Sequence, residues 1–282
     1  MTARRGAAIH DGETWWTNNA RSSYNCVPMA IKKSTRFQTI GFAAGLLGGL
    51  FGGLVGVGGG IVMIPLMTAA AGMSQHRAHG TSLVAIVFTG GVGAAVYFFH
   101  GAVDWRVSLV LAVSAIVTAR FGALYAHSLS EKKLRRGFGA FLIFVAVIML
   151  VKGYLLHITF ALAFRPKMAA LLFTGVFTGF ISGMMGVGGG VIMVPPMVML
   201  VGMSQHMAQG TSLLAMVPIG LTGALTHYTL GNVHMHVAGG LVAGAIIGGY
   251  LGGTVANILP ETYLLLLFLL MTVWMGIRYL RG

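Results

Sequence analysis

Eight apolar runs of membrane-spanning length follow one another along this chain, at about 37–56, 81–100, 106–128, 137–156, 168–186, 211–230, 235–257 and 262–280. Each is close to the ~20 residues that cross a hydrocarbon core as a helix. In lipid every backbone N–H and C=O must find its partner within the protein, so such runs fold as helices. With 56% hydrophobic and only 8% charged residues, the composition excludes a soluble globular domain. The expected fold class is therefore an all-α polytopic membrane protein. Two further apolar runs, Ile61–Gly72 and Val191–Gly202, have only ~12 residues and would rise ~18 Å as helix, too little to cross alone.

Those short runs belong to a repeat. GVGGGIVMIPLM at 56–67 and GMSQHRAHGTSL at 72–83 return as GVGGGVIMVPPM at 186–197 and GMSQHMAQGTSL at 202–213, with the spacing unchanged. The expected organisation is a polar N-terminal tail at 1–36, a first membrane repeat at 37–156, a connector at 157–167 and a second repeat at 168–282. The tail shows no apolar core flanked by a small-residue cleavage site, so it reads as a disordered cytoplasmic segment and not as a signal peptide. Met29, followed by Ala-Ile-Lys-Lys and the first span, is an alternative translation start.

The net charge of +13 does not indicate nucleic acid, because the basic residues punctuate span ends and form no face or stripe. Lys32, Lys33 and Arg36 precede the first span, Lys132, Lys133, Arg135 and Arg136 share one short loop, and Arg278 and Arg281 close the chain. If 37–72 were one broken span, Lys132–Arg136 would fall outside, against the positive-inside rule. If it is a hairpin bent at GVGGG, both termini and residues 129–136 face the cytoplasm; Arg165 and Lys167 then lie outside, a mild exception. That parity inverts the second repeat relative to the first. Inverted repeats with paired Gly/Pro-interrupted segments point to a secondary transporter with a midplane site between the repeats.

Two GVGGG breaks, each with a proline a few residues on and a Gly-Thr-Ser start to the next span, make the chain resemble the sulfite exporter TauE/SafE family of membrane transporters. The resemblance covers about residues 37–281. It implies transport of a small anion, sulfite, a sulfonate or another organosulfur acid, often outward across the bacterial inner membrane. The partners expected are that anion and membrane lipid, with no nucleic acid and no cofactor.

The residues support such a cargo. Gly58, Gly59 and Gly60, with Gly56 and Pro65 shaping the break, leave N–H groups uncovered beside the positive end of a restarting helix. Gly188, Gly189 and Gly190, with Gly186 and Pro195, supply the equivalent group. Both prolines are expected near the first turn, where they cost least. Close helix packing is the other use of membrane glycines, and it is the expectation for Gly244, Gly248, Gly249, Gly252 and Gly253. Three adjacent glycines cost ~1 kcal/mol each in a helix, which favours a binding role for the breaks. Gln75, His76, Thr81 and Ser82, and their counterparts Gln205, His206, Thr211 and Ser212, can hold anion oxygens. They can equally cap the next span, Thr and Ser hydroxyls meeting its first N–H groups. The halves differ where His79 becomes Gln209 and Arg77 becomes Met207.

All five acidic residues, Asp11, Glu13, Asp104, Glu131 and Glu261, fall in the tail or at span ends, so no mid-membrane carboxylate is expected to carry a proton or bind sodium. Histidines His76, His79, His100, His206 and His227 are the titratable candidates, although ordinary interfacial hydrogen bonding explains any single one. His234 and His236 lack a third ligand nearby, and Cys26 is the only cysteine, so no metal site is expected. The eighteen methionines form no repeated array and read as flexible packing. No nucleophile with a base and no phosphate loop with its lysine is present, so an enzyme is not expected. A passive anion channel built from the same broken helices is the alternative to a transporter; a membrane enzyme or sulfur-handling partner protein comes third.

Overall fold

The computed structural model describes residues 36–128, residue 130, part of 131–150 and residues 164–281. Expectations for the N-terminal tail, for the start at Met29 and for most of the connector lie outside the described residues. Helices α1 (Arg36–Val55), α2 (Gly60–Ala70), α3 (Gln75–Phe99) and α4 (Trp105–Ser128) make up the first half. The described residues between 132 and 150 are all helical and are grouped as α5. Helices α6 (Phe164–Met185), α7 (Gly190–Pro196), α8 (Gln205–Thr229), α9 (Met235–Ile258) and α10 (Glu261–Arg281) follow.

Among the described residues seven helices are long and apolar enough to cross a membrane: α1, α3, α4, α6, α8, α9 and α10. The eighth expected span, 137–156, falls largely on residues outside the description. Large apolar side chains face outward, as on α4, where Val113, Val117 and Phe121 recur one turn apart with about 60% exposure each. Serine, threonine, glutamine and histidine side chains are buried within. Such a surface needs an apolar surrounding.

At each glycine run the chain reverses. A methyl group on Gly48 of α1 would strike Met63 of α2, and one on Gly52 would strike Gly59, so α1 and α2 form a tight hairpin; Thr178 and Ser182 of α6 face Gly189 in the same way. Helices α3 and α8 then cross antiparallel at the centre, with Gly80 against Asn232, Gly90 against Leu213, Gly223 against Leu83 and Gly210 against Ala102. The outer helices pair between halves. Gly41, Gly45, Gly49 and Gly53 of α1 meet the backbone of α9, whose Gly240, Gly244, Gly248 and Gly252 meet the backbone of α1 in return. This four-residue spacing brings two helix backbones together as small residues do in membranes. The packing role expected of Gly244, Gly248 and Gly252 is thus observed. Gly249 and Gly253 turn instead toward Thr89 and Val96 of α3. The mate of the α1–α9 pair is α6 on α4, where Gly175, Gly179 and Gly183 fit against Leu111, Ala115 and Ala119.

Three local expectations are corrected. The Gly-Thr-Ser motifs do not start the next helices, which begin five residues earlier at Gln75 and Gln205 and are capped by Ser74 and Ser204. A serine oxygen three residues before Arg77 or Met207 already meets the first-turn N–H. Pro65 and Pro195 are the sixth residues of their helices, past the first turn. The run Val191–Gly202 is not uniform α-helix either: after Pro195 and Pro196 remove two successive donors, Met197–Val201 widens into a π-helical turn.

Candidate functional site

The two glycine breaks meet. Gly60 lies against the carbonyl of Gly186 and against Val187, and Gly190 lies against the carbonyl of Gly56 and Val57. Within each break three glycines hold a left-handed backbone, with φ of 73°, 85° and 84° at Gly56, Gly58 and Gly59 and of 65°, 91° and 90° at Gly186, Gly188 and Gly189. L-residues with side chains rarely adopt this conformation, which explains the glycine requirement locally. The first two N–H groups of α2 and α7 have no intrahelical acceptor, as at any helix start, while the third, of Val62 and of Ile192, bonds back to the Gly59 and Gly189 carbonyls. Ile86 of α3 and Met216 of α8, the same position in the two halves, are fully buried and press on both Gly58 and Gly188. They fill the space between the two breaks.

The paired serines fasten this arrangement. Ser82 Oγ lies 2.7 Å from the Gly186 carbonyl and 2.8 Å from that of His79, and Ser212 Oγ lies 2.7 Å from those of Gly56 and Gln209. Each hydroxyl has one proton to share between two carbonyls. The serines tie each central helix to the opposite break. The paired threonines sit further out. Thr81 donates to the Arg77 carbonyl at 2.6 Å and accepts from His234 N–H at 3.0 Å, while Thr211 accepts from Asp104 N–H at 2.9 Å. They anchor α3 and α8 to the loops that lead into α9 and α4.

Of the glutamine–histidine pairs, His206 is held at the α9–α10 junction, its Nε2 3.0 Å from the Ala256 carbonyl and its Nδ1 3.6 Å from Glu261. His76 occupies the equivalent first-turn position of α3. The residues one turn deeper are the ones that reach the breaks. His79 packs on Gly186 and Gln209 packs on Gly56. The His79 ring bridges Gln75 Oε1, 3.3 Å from Nε2, and the Met184 carbonyl, 3.4 Å from Nδ1. Gln209 Oε1 accepts from the Tyr97 hydroxyl at 2.9 Å, and its buried amide nitrogen has no partner among the described residues. Tyr97 also reaches the Gly53 carbonyl, and its counterpart His227 donates from Nε2 to the Gly183 carbonyl at 3.0 Å.

Sequence reasoning noted the His79-to-Gln209 change without assigning either residue to the binding site, named His227 only among the titratable candidates, and missed Tyr97. The i, i+4 step from Gln75 to His79 was the available signal, since it puts both on one face of a helix. It also missed Thr178 and Ser182, fully buried on α6 beside Gly189, whose hydroxyl oxygens have no partner among the described residues. The first half has Gly48 and Gly52 at these positions. Among the described residues no three His, Cys, Asp or Glu side chains cluster to hold a metal ion.

Residues 41–279 match the family model described as sulfite exporter TauE/SafE. The chain is 25% identical over 254 residues to the probable membrane transporter protein YunE of Bacillus subtilis, covering 82% of this chain and 93% of the relative. It is 30% identical over 224 residues to a probable membrane transporter protein of Xylella fastidiosa, covering 77% of this chain and 81% of the relative. A probable membrane transporter protein of Methanocaldococcus jannaschii is 27% identical over 210 residues, 70% of this chain and 73% of the relative. No solved structure matches at a significant level. The chain belongs to the sulfite exporter TauE/SafE family of membrane transporters.

Proposed function

We propose that the chain is a secondary transporter that moves a small sulfur-containing anion, sulfite, a sulfonate or a related organosulfur acid, outward across the inner membrane. The anion binds where the two glycine breaks meet, on N–H groups of Gly58–Gly60 and Gly188–Gly190 and on the positive ends of the helices that restart there. His79, Gln209 and Tyr97 supply further polar contacts from the sides. Both termini face the cytoplasm in this reading, as the lysine and arginine placement requires.

The observation that carries the reading is the reciprocal seating of Gly60 on the Gly186 carbonyl and Gly190 on the Gly56 carbonyl between antiparallel α3 and α8. It brings both breaks to one point, related by a two-fold exchange of the halves. Ile86 and Met216 close that point, which favours alternating access, with the halves moving apart around the site, over a standing pore. Counterflow of labelled sulfite in proteoliposomes tests this. A preloaded internal pool accelerates uptake of external label if the protein alternates; flux that neither saturates nor shows counterflow means a channel.

A further inference from the structure

A cavity of about 260 Å³ opens between α2, the start of α3 and the end of α10, lined by Thr68, Gln75, Arg278 and Tyr279. Its one described charge is the Arg278 guanidinium, which stacks 5.7 Å above the Trp274 ring. The two described carboxylates are engaged elsewhere: Asp104 accepts from the Arg106 and Val107 N–H groups at the start of α4, and Glu261 meets His206. Among the described residues no carboxylate neutralises the Arg278 charge that faces the cavity. From the cavity wall a polar path leads inward. Gln75 meets His79, and His79 meets the Met184 carbonyl, two residues before the left-handed Gly186 of the second break. In the second half Thr68 and Ala69 correspond to the apolar Val198 and Met199. The groove beside them is lined by Phe173, Phe177, Pro195 and Leu200.

We propose that this cavity is an anion vestibule, in which Arg278 gathers the small anion and passes it by way of Gln75 and His79 to the glycine breaks. The proposal rests on the transport reading and makes the two ends of the path unequal. The cationic mouth lies on the side where α10 ends. An arginine at a low-dielectric mouth raises the local concentration of anions and so the rate at which they enter.

The test uses Thr68→Cys in a Cys26→Ser background, labelled in proteoliposomes of zwitterionic lipid with methanethiosulfonates carrying either a sulfonate or a trimethylammonium group. The anionic reagent should react roughly tenfold faster than the cationic one, Arg278→Gln should abolish the difference, Arg278→Lys should keep it, and methanesulfonate, a sulfonate that does not consume the reagents, should slow the labelling. Equal rates for the two reagents with Arg278 present overturn the vestibule. Protection by added anionic phospholipid but not by methanesulfonate also overturns it, by assigning the cavity to a lipid headgroup. Sulfite counterflow by the unmodified protein is measured alongside. If counterflow fails while the charge preference and methanesulfonate protection persist, the transport reading falls and the anion site stands. If counterflow succeeds without a charge preference, the vestibule alone falls.

Discussion

The two halves place the same glycine break against different supports. In the first, Gly59 is backed by bare glycine: a methyl there would run into the Gly48 carbonyl, and Gly52 sits against the backbone of Gly58 and Gly59. In the second, Gly189 is backed by the side chains of Thr178 and Ser182, whose buried hydroxyl oxygens have no partner among the described residues. The α1–α9 seam carries four glycines from each helix, whereas in the α4–α6 seam α4 keeps only Gly122, against Phe180, and Ser114 and Thr118 stand where α9 has Gly244 and Gly248. The first hairpin is therefore pinned backbone to backbone. The second keeps side chains that can rotate. A repeat built twice has diverged where its hairpins pack, while the breaks themselves kept every glycine.

The largest expected effect separates the hairpins directly. Alanine at Gly59 or at Gly189 meets the same left-handed backbone, at ~1–2 kcal/mol. Gly59→Ala adds a collision with a carbonyl that has no side chain to move, roughly another 1–3 kcal/mol. Thermal unfolding in detergent should rank Gly59→Ala well below Gly189→Ala, and Thr178→Gly should partly restore Gly189→Ala. Equal losses, or no restoration, would break the comparison.

A smaller difference is expected in the outer seams. Gly244→Ser places a side chain against the Phe42 carbonyl and should cost about 1–3 kcal/mol. The reciprocal Ser114→Gly, which empties space against Gly175 and removes a hydroxyl bonded within its own helix to the Val110 and Leu111 carbonyls, should cost about 1 kcal/mol. The same unfolding measurement checks both. Smaller again is Tyr97→Phe, which removes the hydroxyl shared between Gln209 and the Gly53 carbonyl. A loss of about 1 kcal/mol is expected, together with weaker sulfite binding if Gln209 is oriented through that bond. Unchanged affinity would confine Tyr97 to packing.

The architecture was readable wherever a residue pattern had one physical solution. Apolar runs of spanning length must be helices in lipid, and three adjacent glycines must interrupt one. The duplicated spacing announced that two breaks exist. The roles inside the second block were not readable, because a hydroxyl suits a cap, a carbonyl clamp or an anion equally well. Ser74 took the cap in α3 and Ser82 the clamp, a division set by a carbonyl 104 positions away in the sequence. Thr178 and Ser182 escaped notice because their counterparts are glycines, so the repeat hid them. His79 was visible as a difference between the halves, but only the packing of α3 against the second break gives it a place.

The central claim is that the two breaks form one anion site. It is tested most directly by an experimental structure with selenite, an anomalously scattering analogue of sulfite. The account predicts a selenium peak where the breaks meet, with Ile86 and Met216 displaced and N–H groups of both breaks within hydrogen-bond reach. A selenium peak confined to the Arg278 cavity or the protein surface, with Gly60 and Gly190 still seated on the opposite carbonyls at saturating selenite, would contradict it.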